Sequence, residues 1–361
     1  MVQPFTYAVG TFIGIGVLIL PMLFQQAGII LGTAGLLFSA LLLLFLAFIV
    51  MDLIRLAKKD LPGSVEQYLG GGRPLVRISL AVFTYGALVA YVVGAGSQMA
   101  ALAGGMGAQY WGALFFVLAA IPVLQDSRTF GKLAVYLSVV LLLTLALLIP
   151  MNISASAFSP PAFGSWTVVP FLLSVSIFSL FGHTSIHRIS RMCGKEQEMK
   201  AKFFGAFFLS LIIYLFYTTT SSSVGPMGDL STVSLLFYYG PFIRTLITLV
   251  AVLAFYTSFV NISLDFVKPL EASRRMQSGA ALSLLFFPTA VLYVLVHQFG
   301  IMTLAELVAR FCGVGIVIFA MTACVAHSRA SRKHKTAIPG WLSAVLAFVF
   351  VAVAAFNILP V

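Results

Sequence analysis

Side chains able to hold charge are scarce in this sequence, so their positions carry most of the reading. His183, Asp52, Asp265, Glu306 and Arg310 lie in or at the ends of runs apolar enough for lipid. Ionisable groups in such runs mark ion or substrate pathways, proton relays or paired ties. His183 stands mid-run, and imidazole titrates near physiological pH, so it is a candidate to bind a ligand or carry a proton. A core histidine bonded to a backbone carbonyl is the competing reading. Glu306 and Arg310 are four apart, the spacing of a helical ion pair. They read as a structural bridge, with an outer gate as the alternative. Asp52 has Arg55 close in sequence and Asp265 has Lys268, so both acids are expected to pair at the inner surface or serve an inner gate. His187 falls nearer the end of its run, away from the presumed site. Hydroxyls add a second class of donor. FYTSFVNISLDF, from Phe255, sets Thr257, Ser258, Asn261 and Ser263 in an otherwise apolar run. Thr257 and Ser258 oxygens could join main-chain carbonyls around a small cation such as Na+. Back-bonding of each hydroxyl to its own helix is the simpler alternative.

None of this is covalent chemistry. His, Asp and Glu are scattered rather than clustered, no phosphate-binding glycine loop is present, and neither enzyme action nor ATP drive is expected. No cofactor is expected beyond Na+ or H+ as a coupling ion. Cys193, Cys312 and Cys324 are not spaced as a metal site or a disulfide framework. What remains is recognition of small charged solutes, and that depends on the elements that hold these residues.

Of the 361 residues, 61% are hydrophobic and 9% charged, against about 25% charged in a soluble domain. The chain is predicted to be an all-α polytopic membrane protein of eleven spans. They run near 5–28, 31–54, 75–102, 109–124, 132–151, 168–187, 203–222, 242–266, 279–297, 303–325 and 338–358. The linkers alternate in charge. One set holds Lys58, Lys59 and Arg73; Arg128 and Lys132; Arg188, Arg191, Lys195, Lys200 and Lys202; Lys268, Arg274 and Arg275; and Arg329, Arg332, Lys333 and Lys335. The other set, around 103–108, 152–167, 223–240 and 298–302, has no Lys or Arg. Basic loops stay inside, which predicts a cytoplasmic N-terminus and an outer C-terminus in a cell membrane. The net charge of +11 then reflects orientation and anionic lipid, not nucleic acid. The partners expected are a small solute and the bilayer; oligomeric state is left open. The longer outer loops, Asn152–Trp166 and Ser223–Gly240, are each candidates for a short interfacial helix.

Two spans are interrupted. Span 1 reads GTFIGIGVLILP over Gly10–Pro21, with Gly10, Gly14 and Gly16 inside it. Close helix packing would also place glycines there. Span 6 changes at mid-depth from Ser174, Ser176 and Ser179 to Phe181, Gly182 and His183. Interrupted spans five apart enter from opposite sides, so spans 1–5 and 6–10 would be inverted copies, as in secondary transporters with a midplane site. The domain reading is a core over 1–325, with repeats at about 5–151 and 168–325, followed by a linker and an added helix over 326–361. At each break, Ile13–Gly16 and Leu180–His183, the backbone loses partners. The N-terminus of the next half-helix can hold a carboxylate, and the carbonyls ending the previous one an ammonium or a cation. A zwitterionic amino acid offers both charges.

Three segments resemble the amino acid/auxin permease family, and within it the bacterial aromatic and hydroxy amino acid permeases. GTFIGIGVLILP is similar to that family's glycine-rich span 1, FSLFGHTSIHRI (Phe178–Ile189) to its span 6, and TSFVNISLDFVK (Thr257–Lys268) to its span 8. Their order and spacing cover nearly the whole chain. The resemblance implies a five-plus-five inverted-repeat (LeuT-like) fold with discontinuous spans 1 and 6. It also implies secondary transport of amino acids across a prokaryotic cytoplasmic membrane, coupled to a proton or sodium. Matching positions are Ile13, Gly14, Ile15 and Gly16 for the unwound segment and Ser179, Phe181, Gly182 and His183 for the substrate-facing one. Thr257 and Ser258 match the cation-side hydroxyls. Span 3 faces the breaks in this fold, so Tyr85 or Tyr91 is expected to cap the substrate, Tyr85 being the first choice. Two departures stand out: Ile186–His187 replaces the proline expected after the span 6 histidine, and Asn261 replaces a small residue. A non-transporting amino acid sensor or germinant-receptor-like subunit on the same fold is the alternative function.

Overall fold

The computed structural model describes residues 3–124, 127–227, 231–272, 277–299 and 303–358. The basic pair Arg274 and Arg275 and parts of two outer loops lie outside them. Lipid offers no partner for a bare N–H or C=O, so spanning segments satisfy their backbone internally, as helices. The described residues contain no strand.

Span 1 is two helices, α1 (Gln3–Phe12) and α2 (Gly16–Ala27), bent by 45° at the break. A corner at Gly28 leads into α3 (Ile29–Ala57). Gly28 has φ 87°, where a side chain would be strained, and a Cβ there would sit 2.5 Å from Gly164 N. The 155–165 loop folds over this corner: Gly164 N–H donates to Ala27 O and Ile29 N–H to Pro161 O. On the basic face follows a short helix not anticipated from the sequence, α4 (Leu61–Leu69), capped by Asp60, which accepts from Gly63 N–H. Next come α5 (Gly72–Ala103), α6 (Ala108–Leu124) and α7 (Ser127–Ser154).

Span 6 opens with a turn at Trp166–Val168 and continues as α8 (Val169–Ser179). It unwinds at Leu180–Gly182, makes a tight turn over His183–Ser185, and resumes as α9 (Ile186–Met192). Then come α10 (Glu196–Ser222), α11 (Ser231–Leu235) in the second long outer loop, α12 (Pro241–Ala272) and α13 (Ser278–Phe299). Span 10 begins as α14 (Leu304–Glu306), widens into a π-turn at Leu307–Cys312 and ends as α15 (Gly313–Ser331). The last helix is α16 (Gly340–Ile358).

Eight described helices are long and apolar enough to cross a membrane, and bent α1–α2 makes a ninth. With the shorter apolar α6 and α16 these are the eleven spans. Together they form an all-α, multi-pass, five-plus-five fold with spans 1 and 6 discontinuous. The broken spans sit at its centre. α1 packs on α7, α10 and α12, and α2 on α8 and α10. Every residue from Thr6 to Phe24 is buried. Outward surfaces carry large apolar side chains, such as Leu143, Phe287 and Phe348, as lipid requires.

Candidate functional site

Span 1 cannot run through as one helix, because neighbours take its backbone groups. Tyr214, on α10, donates its hydroxyl to Phe12 O (2.9 Å) and accepts from Gly14 N–H (3.0 Å). Ser258, on α12, donates to both Gly10 O (3.0 Å) and Ile13 O (3.2 Å). Glycine fits tightly at Gly14 and is required at Gly16. A Cβ on Gly14 would lie 3.0 Å from Ser258 Oγ and 3.1 Å from Tyr91 Oη. One on Gly16 would lie 2.5 Å from Ser179 Oγ and 2.6 Å from the Tyr214 ring. Gly14 therefore meets α5 and α12, while Gly16 meets α8 and α10. Ile15 and Gly16 N–H open α2 and donate to no acceptor among the described residues. They are orphan donors at a helix N-terminus.

The tyrosine at this break is Tyr91, stacked on Phe255 with centroids 6.1 Å apart. Tyr85 does not reach it. Its hydroxyl donates to Leu284 O (2.8 Å) on α13, nearer the basic face. Six residues are about 1.7 helical turns, which separates the two levels.

The span 6 residues divide. Ser179 faces Gly16 and back-bonds to Val175 O (2.7 Å). Gly182 lies under the Phe12 ring, where a Cβ would come within 2.5 Å. Phe181 turns toward Phe83 and Phe319. His183 is fully buried against Phe181, and its Nε2 meets Leu43 O at 2.8 Å. Its Nδ1 has no partner among the described residues. It thus points at α3, away from the Thr257–Ser258 pair, in the core arrangement the sequence offered as the competing reading.

Along α12 the polar residues form one stripe. Ser258, Asn261 and Asp265 are three and four apart, which stacks them on one face, and that face lies on α1. Thr257 sits beside Gly10 while back-bonding to Leu253 O and Ala254 O. Asn261 Nδ2 donates to Tyr7 O and Thr11 Oγ1, both at 3.2 Å. Asp265 accepts from Tyr7 Oη (2.7 Å) and from Thr184 Oγ1 (3.3 Å). Arg188 covers the Tyr7 ring at 4.7 Å and donates to its hydroxyl at 3.4 Å. One contact therefore joins α1, α9 and α12. Lys268 does not pair with Asp265 as the sequence suggested; it pairs with Glu271 at 2.8 Å. Beyond this contact a cavity of about 870 Å³ opens on the basic face, lined by Thr184, Arg188, Asp265 and Tyr85 among others. At the opposite end of α2, Gln25 bonds Ser222 O, Gly225 O and Met227 N–H, tying that helix to the outer loop.

The remaining gate candidates lie elsewhere. Asp52 pairs with Arg55 at 2.7 Å as expected. It also accepts from Ala337 N–H (2.6 Å) and meets His327 Nε2 (3.3 Å), while His327 Nδ1 meets Ser343 Oγ (2.8 Å). That buried chain fastens α3 to α15 and α16, apart from α1, α9 and α12. Glu306 forms a capping box with Thr303 and a 3.4 Å salt bridge with Arg310. Both acids have structural partners that account for them.

Tyr7, Tyr214 and Arg188 were not singled out as site residues from sequence. The 3–4 spacing of Ser258, Asn261 and Asp265 was a readable signal for a stripe. Tyr214 left none, because α10 is rich in aromatic residues with no distinguishing pattern.

Among known proteins, this arrangement of helices has the LeuT-type fold. No family model matches the sequence, and no curated protein sequence aligns with it. Solved structures do match. MhsT in complex with L-phenylalanine superposes with a TM-score of 0.67 at 15% identity, over 99% of this chain and 97% of that one. Mhp1, a nucleobase-cation-symport-1 family transporter in a closed conformation with bromovinylhydantoin bound, gives a TM-score of 0.59 at 15% identity, over 90% of this chain and 77% of that one. At that identity the likeness concerns the fold. The amino acid/auxin permease resemblance rests on its three segments alone.

Proposed function

We propose that the protein is a secondary transporter that carries amino acids across the prokaryotic cytoplasmic membrane, coupled to sodium, by alternating access. The observation that carries this is the double hold on the span 1 break, by Ser258 at Gly10 O and Ile13 O and by Tyr214 at Phe12 O and Gly14 N–H. It keeps four backbone groups out of helical bonding in the interior of a membrane protein, where irregular backbone is tolerated only when buried or lining a pathway. MhsT, of the same fold, holds an amino acid.

Two subsites follow. Ile15 and Gly16 N–H at the start of α2 suit a carboxylate, with the Tyr91 hydroxyl beside them as a further donor. Gly10 O, Ile13 O and the Thr257 and Ser258 hydroxyls form a neutral, all-oxygen set that suits a hard monovalent cation. A cation there draws on carbonyls from α1 and hydroxyls from α12, so it ties the two helices together. Sodium is favoured over a proton because His183 faces Leu43 and not this set. The Tyr7–Asp265–Thr184 contact closes the cytoplasmic exit, with the vestibule beyond it.

The test is uptake of labelled amino acids into proteoliposomes under an imposed sodium gradient or, separately, an imposed proton gradient. Accumulation driven by sodium and lost in Ser258→Ala is expected. Accumulation driven only by protons overturns the sodium assignment. Binding without accumulation under either gradient overturns transport and favours a sensor.

A further inference from the structure

The vestibule on the basic face is unusual in its walls. It draws Lys59, Arg73, Arg77, Arg188, Arg191 and Lys268 from four separate segments around one cavity of about 870 Å³, with Asp60 and Asp265 as its acids; Arg73 and Lys268 are paired with Glu66 and Glu271. Asp60 is engaged at the N-terminus of α4, and Asp265 by Tyr7 and Thr184. Arg188 is engaged with Tyr7. Arg77 and Arg191 make no salt bridge among the described residues. Cations in loops on this face are ordinary. These two instead project from α5 and α9 into a cavity whose surface is mostly apolar. Its α5 and α13 walls include Ile78 and Leu284, large apolar side chains that are 58% and 42% exposed.

Guanidinium groups beside an apolar wall, at the basic end of the helices, match one ligand chemistry. A phosphate takes paired N–H donors from arginine, and an acyl chain takes the apolar wall. Basic pockets between membrane helices on the inner side hold anionic headgroups for this reason. We propose that the vestibule is a binding site for one anionic phospholipid, its phosphate on Arg77 and Arg191 and its chains along Ile78 and Leu284. Lys59 adds a third positive charge at the rim. The site adjoins Arg188, whose stacking on Tyr7 belongs to the cytoplasmic closure. Occupancy therefore places a negative charge next to the contact that closes the exit. The binding claim does not depend on the transport reading.

The experiment is native mass spectrometry of the full chain, delipidated in neutral detergent. It is titrated separately with phosphatidylglycerol, with phosphatidylcholine of the same acyl chains, and with inorganic phosphate. One retained phosphatidylglycerol, bound more tightly than phosphatidylcholine, is expected. The pair Arg77→Gln with Arg191→Gln should weaken it about thirtyfold, at about fivefold per cation removed near the membrane surface. The pair Lys333→Gln with Lys335→Gln, on the same face but outside the cavity, should leave it unchanged. Equal binding of the two lipids overturns the proposal, and this arm needs no variant. Loss of equal size in the control pair overturns it, since the charge would act diffusely. Inorganic phosphate binding as tightly as phosphatidylglycerol overturns it too, by showing a site for a soluble anion.

Discussion

Replacing Tyr214 by phenylalanine removes one oxygen atom and tests the account of the broken span. The hydroxyl is fully buried and bridges Phe12 O and Gly14 N–H across the break. A hydrogen bond nets about 0.5–1.5 kcal/mol, whereas a buried group stripped of its partner costs about 1–3 kcal/mol. Two backbone groups are stripped here, so a dry break predicts a loss of about 2–6 kcal/mol. Healing the helix would recover part of that, by returning Gly14 N–H to Gly10 O. Ser258 competes with this route, because its hydroxyl also bonds Gly10 O. Tyr214→Phe and Ser258→Ala are therefore expected to couple, with an interaction energy above about 0.5 kcal/mol in a double-mutant cycle. The assay is thermal unfolding in detergent with uptake measured in parallel. Tyr85→Phe sets the scale for losing one bond at a half-exposed position. The unfolding temperature of Tyr214→Phe should fall by about 3 °C or more, and uptake should fall with it. A shift no larger than that of Tyr85→Phe, or strict additivity with Ser258→Ala, would refute the claim that these hydroxyls hold the break open.

Gly16→Ala should abolish uptake and cost about 1–3 kcal/mol from overpacking, since the new Cβ meets Ser179 Oγ and the Tyr214 ring; Gly279→Ala, with open space around it, should change neither. His183→Gln should keep uptake with the wild-type pH profile, because the imidazole bonds Leu43 O and faces α3; a changed profile in the uptake assay would restore it as a proton carrier. Asp52→Asn should lower stability by about 1–3 kcal/mol, as expected when buried hydrogen-bond partners are left unsatisfied, yet leave uptake per folded molecule intact. Measuring both separates a fastening for α15 and α16 from a gate.

Composition alone determined that this chain lives in a bilayer, because runs too apolar for water must be helical in lipid and glycines must fall where the helix cannot continue. Both breaks, at Ile13–Gly16 and Leu180–His183, were legible for that reason, as was the alternating loop charge. Other features waited for the fold. Which tyrosine meets Gly14 depends on how far α5 slides along α1, and a uniformly apolar helix carries no facing signal to fix that slide; Tyr91 was chosen over Tyr85 by packing. His183 is a candidate for proton chemistry by type and position, and only the packing shows its ring turned toward Leu43. Asp265 had a sequence neighbour in Lys268, but the partners it took, Tyr7 and Thr184, are 258 and 81 residues away. Local spacing predicts neighbours on one helix. Partners across helices are set by the packing of several helices at once, and only the tertiary structure resolves that.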